Sequence, residues 1–222
     1  MNARSMSTPA KFALIAILAA ACGGQAASTP TPAASATAVA SSDGWAVTSA
    51  SKATVSVREQ LVNVSLPSDA VLTATGASGA FKLNDDGTFS PDSKITFDLT
   101  TLKSDQSQRD QFVKMDTLAT RQYPTATFVP TKVSGLTLPL ATSGQFTFTL
   151  TGKMTVHGTT KDVTFDVTAT RDGGTLRATA TANPTWTFED FGMAPPSVPF
   201  RVVSVVDEIR LVVELVANGP AM

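Results

Sequence analysis

The sequence predicts an all-β protein: a single closed, up-and-down antiparallel barrel of about eight strands with a short amphipathic helical insert. Apolar and polar residues alternate strictly in several segments, as they do when a strand presents one face to a core. Threonine occurs 33 times in 222 residues, and β-branched residues favour strands. A β-sandwich is the alternative, but closure leaves no exposed sheet edges and therefore favours the barrel.

Composition limits the chemistry that the chain can support. One Cys and one His cannot supply the three or four ligands of a zinc site, so we expect no metal and no cofactor. A formal net charge of −1 provides no basic surface for phosphates, so we expect no nucleic-acid partner.

Residues 1–21 have the pattern of a secretory signal peptide. Arg4 and Lys11 precede the apolar run FALIAILAAA, which is too short to span a bilayer. Cys22 follows three alanines and resembles the acylated Cys of a bacterial lipobox, although the usual Leu is replaced by Ala19. We therefore expect export, a lipid anchor on Cys22 and a location in the cell envelope. Ordinary signal cleavage at an Ala-x-Ala site is the alternative.

The segment 22–43 predicts a disordered tether, and the barrel domain is expected at 44–218. The tether contains no aromatic residue and no charge before Asp43, so it cannot bury enough apolar surface to fold. Alternation is clearest from Phe146 to Val156, and it resumes at Val163 after a turn at His157-Gly158. Further strands are predicted near 55–57, 71–83, 95–99, 125–133, 174–182, 185–190 and 209–215.

The segment from Ser107 to Ala119 breaks the strand pattern and predicts the helix. Ser107 and Asp110 have the spacing of a capping box, and Phe112 and Met115 recur at helical intervals. Such a helix can cover one barrel opening with its apolar face, although these residues could equally be ordinary core.

No catalytic set is evident, so we expect a non-enzyme. His157 is the only imidazole available to a Ser-His-Asp triad, and it lies in a predicted hairpin turn without a nucleophile-elbow motif. Asp190-Phe191-Gly192 spells a kinase tripeptide, but the other kinase motifs are missing.

Four stretches in order resemble the YceI family across about residues 45–217. They are Arg109-Asp110 before the helix, the segment YPTATF at 123–128, the hairpin LTGKMTVHGTTKDVTF at 150–165, and Asp190-Phe191-Gly192. The resemblance implies a secreted or periplasmic lipocalin-like barrel that binds a polyisoprenoid or another long-chain lipid.

On this resemblance, a long-chain lipid is the expected ligand, and the membrane is a second partner through Cys22. A homodimer is an alternative to a monomer. The residues expected to line the lumen are Phe97, Phe112, Met115, Phe128, Phe146, Phe148, Met154, Phe165 and Phe188. Arg109 is the candidate for contact with a phosphate head group, or it forms an ion pair with Asp110 or at a strand end. A filled core that serves only as a structural or interaction module is the alternative function.

Overall fold

Residues 44–220, described by a computed structural model, form a closed eight-stranded antiparallel barrel, which confirms the predicted fold class. The expected signal peptide and tether lie outside the described residues. Ten strand segments make up the sheet: β1 (Trp45–Val47), β2 (Lys52–Leu61), β3 (Ser68–Ala74), β4 (Ser78–Phe81), β5 (Lys94–Asp98), β6 (Thr125–Ser134), β7 (Ser143–Val156), β8 (Thr159–Asp172), β9 (Thr175–Ala182) and β10 (Val202–Asn218).

Ten segments give eight strands because the first two barrel strands are each interrupted once. β1 and β2 both pair with β10, and β3 and β4 are the matching halves of the next strand. β1 therefore joins β4 on one side and β10 on the other, and this pairing closes the barrel.

The β7–β8 hairpin shows why the alternating sequence folds in this way. Its register runs unbroken from Ser143 opposite Asp172 to Val156 opposite Thr159. His157 and Gly158 form the turn with φ of 50° and 75°, the left-handed geometry that matches the twist of a two-residue hairpin. The inward side chains of β8 are buried and the intervening ones are largely exposed, so the predicted faces are correct.

The helical insert is present, but its predicted cap is wrong. Helix α1 spans Ser107–Phe112 and continues as a wider π-helical turn over Val113–Thr117. Ser107 is the first helical residue and not the cap. The Asp110 carboxylate instead accepts hydrogen bonds from the backbone N–H and the hydroxyl of Ser104, at 2.8 and 2.6 Å.

The strand predicted at 185–190 is also wrong. Trp186 forms a single bridge with Ile209, and Glu189–Phe191 forms a 3-10 turn. Asn183-Pro184 lies directly before this segment, and proline cannot donate to a continuing ladder.

The barrel end opposite the helix is closed by a buried aromatic and cation pair. The guanidinium of Arg171 lies 5.0 Å from the ring centroid of Trp45, and both residues are buried. Arg171 also donates to the carbonyls of Leu140, Ala141 and Gly173. These contacts satisfy the buried charge and tie three chain segments together at this end.

Gly152 provides a test of packing inside the barrel. A Cβ at this position would lie 2.5 Å from the Phe128 ring and from the Val129 carbonyl oxygen. We therefore expect Gly152→Val to lower the free energy of unfolding by about 2 kcal/mol or more through overpacking. Urea unfolding followed by circular dichroism measures this, with Thr147→Val on the exposed face of the same strand as the control. Equal stability of both variants would contradict the packing described here.

Candidate functional site

The barrel encloses an apolar cavity of about 770 Å³. The inward faces of the strands line it, and α1 and the loops at the helix end complete it. Ligand cavities in proteins commonly measure about 300–1,000 Å³, so this lumen has the size of a binding site.

The cavity opens at the helix end. Every lining residue that is exposed lies at this end, whereas Trp45 and Arg171 are buried at the other. These exposed lining residues are Val62, Asn63, Val64, Gln106, Gln108, Phe200 and Arg201.

Most of the predicted lumen residues do line the cavity. Eight of the nine do so: Phe97, Phe112, Phe128, Phe146, Phe148, Met154, Phe165 and Phe188. They come from β5, α1, β6, β7, β8 and the loop after β9.

Met115 is the exception and corrects the prediction. Its side chain is 40% exposed and lies on the outer side of the insert, beside Thr100 and Lys114. The physical reason is the π-helical turn, in which Leu118 N–H donates to Val113 C=O five residues earlier. The wider turn brings Thr117 and Leu118 to the cavity instead of Met115.

Sequence reasoning missed six aromatic residues that line the cavity, and two of them, Trp186 and Phe191, belong to one series of ring contacts. The other four are Trp45, Phe81, Phe89 and Phe200. Four rings of the wall contact one another in series, with centroid distances of 5.3 Å for Phe128–Phe165, 5.9 Å for Phe165–Trp186 and 5.1 Å for Trp186–Phe191. Trp186 lies in the segment predicted as a strand and Phe191 directly follows it, and alternation does not place both on one face. The family tripeptide at 190–192 was the available signal for Phe191.

That tripeptide has a structural role in this chain. The Asp190 carboxylate accepts from the backbone N–H of Thr187 at 2.9 Å and pairs with Lys161. Phe191 is 1% exposed, and Gly192 has φ of 66°, which favours glycine. Together they fold the loop so that Phe191 and Trp186 complete the cavity wall.

A largely buried ion pair lies where the apolar lumen meets the mouth. Glu59 points inward from β2, and its Oε1 lies 2.6 Å from Arg109 Nη2. Arg109 Nη1 lies 2.5 Å from Asp105 Oδ1. Arg109 therefore forms an ion pair that joins α1 to the barrel, with Glu59 and Asp105 as partners and not Asp110. Its contact with a head group stays a prediction.

His157 lies in the hairpin turn, as the sequence predicted. Its ring packs edge-on against Tyr123 with centroids 4.9 Å apart. Tyr123 also covers Gly158, where a Cβ would lie 2.7 Å from the ring. The Tyr-Pro segment and the hairpin motif thus meet in one contact outside the lumen.

No helix within residues 44–220 is long and apolar enough to cross a membrane. In the same range, no three His, Cys, Asp or Glu side chains are grouped so that they could hold a metal ion.

The closed sheet and its one-ended apolar cavity define a lipocalin-like barrel. Residues 45–217 match the sequence pattern of the YceI-like domain. The chain belongs to this family, as the resemblance indicated.

Relatives and solved structures agree with this assignment. A UPF0312 protein of Pseudomonas putida is 38% identical over 140 residues, which cover 57% of this chain and 69% of the relative. A polyisoprenoid binding domain from Saccharophagus degradans superposes with a TM-score of 0.59 at 12% identity, over 79% of this chain and 98% of that one. Burkholderia cenocepacia BcnA superposes with a TM-score of 0.56 at 22% identity, over 78% and 99%. At these identities the structures show the shared fold.

The Glu59–Arg109 pair can be tested by a double-mutant cycle. Arg109→Met should lower the free energy of unfolding by about 2 kcal/mol, because it leaves the buried Glu59 side chain without its ion-pair partner. Adding Glu59→Gln should recover part of that loss. Urea unfolding measures both, and Arg58→Met at the exposed pair with Asp69 is the control, which should change the free energy of unfolding much less because solvent screens this pair. If the change in the free energy of unfolding of the double variant equals the sum of the changes of the two single variants, Glu59 and Arg109 are not energetically coupled.

The ion pair between Asp190 and Lys161 predicts that the stability of the protein depends on pH. Its hydrogen bond with the Lys161 ammonium, followed by that with the Thr187 backbone N–H, holds the pKa of Asp190 below its ordinary value. The pair therefore stabilises the fold above about pH 4, where unfolded aspartate titrates, and is lost as pH falls through the folded pKa.

Asp190→Asn should consequently destabilise the protein at neutral pH and flatten the acid side of its stability profile. Thermal unfolding between neutral and strongly acidic pH measures this. Asp162→Asn, at the exposed pair with Lys153, is the matched control. An unchanged acid slope in Asp190→Asn would rule out this role.

Proposed function

We propose that the protein binds a long-chain amphiphile, such as a polyisoprenoid, inside the barrel and catalyses no reaction. The observation that carries this proposal is the apolar cavity of about 770 Å³ open at one end. The filled-core alternative is less favoured, because side chains leave a cavity of about 770 Å³ inside the barrel and do not fill it.

The lumen suits a hydrocarbon tail. An apolar cavity of about 150 Å³ already binds benzene or xenon, and each buried CH₂ contributes about 0.8 kcal/mol. Flat rings and the Met154 thioether offer adaptable apolar contacts along the wall. The name of the Saccharophagus degradans neighbour, a polyisoprenoid binding domain, supports this class of ligand.

The polar head of the ligand is placed at the mouth. Arg109 and Arg201 line the cavity there, and Arg201 Nη1 donates to Gln108 at 2.5 Å. Arg109 is already held by two carboxylates, so it could bind a phosphate only by exchanging one of them. An uncharged head group could lie beside the intact pair.

The cellular setting is also part of the proposal. The basic start, the short apolar run and Cys22 after three alanines support export and acylation at Cys22. The protein then works in the cell envelope on a lipid anchor. Two acyl chains on one Cys give stable attachment, which a single chain does not.

Lipid extraction and a binding assay test this function. The mature chain, purified from a bacterial host, should release a long-chain lipid detectable by mass spectrometry and should bind a fluorescent prenyl probe saturably. Ala180→Trp, which fills the lumen from β9, should weaken probe binding about tenfold or more, since it removes space for several CH₂ groups.

Thr179→Trp is the matched control because Thr179 is the exposed neighbour on the same strand. It should bind the probe as the unaltered chain does. Absence of both co-purified lipid and saturable binding would disprove the proposal.

A further inference from the structure

Exposed apolar side chains are concentrated at one end of the barrel. Eight large hydrophobic residues of the described chain are exposed, and six of them lie in the segments 62–66 and 200–206. We call these six residues the rim: Val62, Val64, Leu66, Phe200, Val203 and Val206. Phe200 is 96% exposed, Leu66 75% and Val203 65%.

The two rim segments form one surface. Val62 N–H donates to the Arg201 carbonyl at 2.9 Å, and Val202 pairs with Leu61 where β10 meets β2. Phe200 has φ of 64°, a conformation that is unfavourable for a bulky residue. The backbone of Phe200 is therefore strained, and among the rim residues this side chain is the most exposed to solvent.

The rim is continuous with the lumen. Val62, Val64 and Phe200 are exposed to solvent and also line the cavity. Leu66, Val203 and Val206 are exposed in the same two segments and do not line the cavity. A hydrocarbon chain can therefore pass between the outside and the cavity along apolar contacts.

We propose that the rim inserts into the surface of a lipid bilayer, so that the mouth opens toward the acyl chains and the ligand exchanges without crossing water. This inference rests on the proposed function. Contiguous exposed apolar patches mark interaction surfaces, and a fluid bilayer receives a projecting ring such as that of Phe200 without a complementary pocket. A second copy docked on the mouth would instead close the exit of the ligand.

The charge of the rim segments fits a bilayer. Residues 62–66 carry no charge, and residues 200–206 carry only Arg201. One exposed guanidinium among apolar residues matches the phosphates at a membrane surface, where apolar side chains sit at the boundary with the acyl chains.

The chain length before the barrel permits this contact. The 22 residues from Cys22 to Asp43 span at most about 75 Å when extended. A 14-residue strand such as β7 is about 48 Å long, and its tilt shortens the barrel further. An anchor at Cys22 therefore leaves either end of the barrel able to reach the bilayer.

Quenching by brominated lipids tests insertion directly. Phe200→Trp places a reporter on the rim, and Ser143→Trp places one at the exposed start of β7, at the opposite end. Trp45 and Trp186 are buried and form a constant background. With the mature chain on vesicles of phosphatidylethanolamine and phosphatidylglycerol, we expect a blue shift and bromolipid quenching for Phe200→Trp alone. Equal quenching of both reporters, or of neither, would overturn the inference.

Ligand transfer separates this inference from the proposed function. The triple variant Leu66→Ser, Val203→Ser, Val206→Ser changes rim residues that do not line the cavity. It should take up a prenyl probe from vesicles about tenfold more slowly, because it loses apolar contact with the bilayer, while binding cyclodextrin-delivered probe as before. Val71→Ser, exposed on β3, is the control and should transfer the probe normally.

The outcomes are distinct. If the unaltered chain binds no probe from cyclodextrin, the proposed function fails, while bromolipid quenching still decides insertion. If binding holds but the triple variant takes up probe at the normal rate, the inference is overturned. Loss of a dimer in the triple variant by analytical ultracentrifugation, without quenching at residue 200, would assign the rim to self-association instead.

Discussion

Closure of the sheet is the constraint on which the rest of the structure depends. β1 pairs with β4 on one side and with β10 on the other, which closes the ring. Among the described strands, β3 keeps one side largely unpaired, with a single bridge from Thr73 to Lys103. Because side chains alternate along each strand, closure turns one face of every strand into a shared interior. The cavity, its apolar character and its two ends all follow from that geometry.

An interior this large has an energetic consequence. The atoms that line a cavity of about 770 Å³ have no packing partners on the cavity side. The wall therefore loses the dispersion energy that those contacts would contribute. The buried contacts around the cavity hold the wall in place: the Arg171–Trp45 pair at one end and the ring series from Phe128 to Phe191 along one side. A tail inside the lumen would supply the missing contacts and stabilise the folded chain by mass action.

The two ends of the barrel differ in how their charged residues are held and in whether the cavity opens to solvent. At the closed end, Arg171 has carbonyl acceptors and an aromatic face, so its charge is satisfied and immobile. At the open end, Arg109 holds α1 against Glu59, and the exposed apolar residues of the rim lie in segments 62–66 and 200–206. This asymmetry gives the proposed ligand one route of entry, and it places the polar groups where a head group would be.

Local pattern in the sequence was enough to predict the barrel, the long hairpin and the common face of the six cavity residues that lie in strands, because alternation in a strand directly states which side chains share a face. Met115 and the 185–190 strand were wrong because a π-helical turn and a 3-10 turn change the period of the chain. The Ser107 cap was wrong because the Asp110 carboxylate bonds Ser104 instead. Only the tertiary structure decided the pairing of Arg109 with Glu59, fifty residues apart in sequence. It also decided that segments 62–66 and 200–206 meet at one mouth, because strand pairing across the closed sheet, and not proximity in sequence, brings them together.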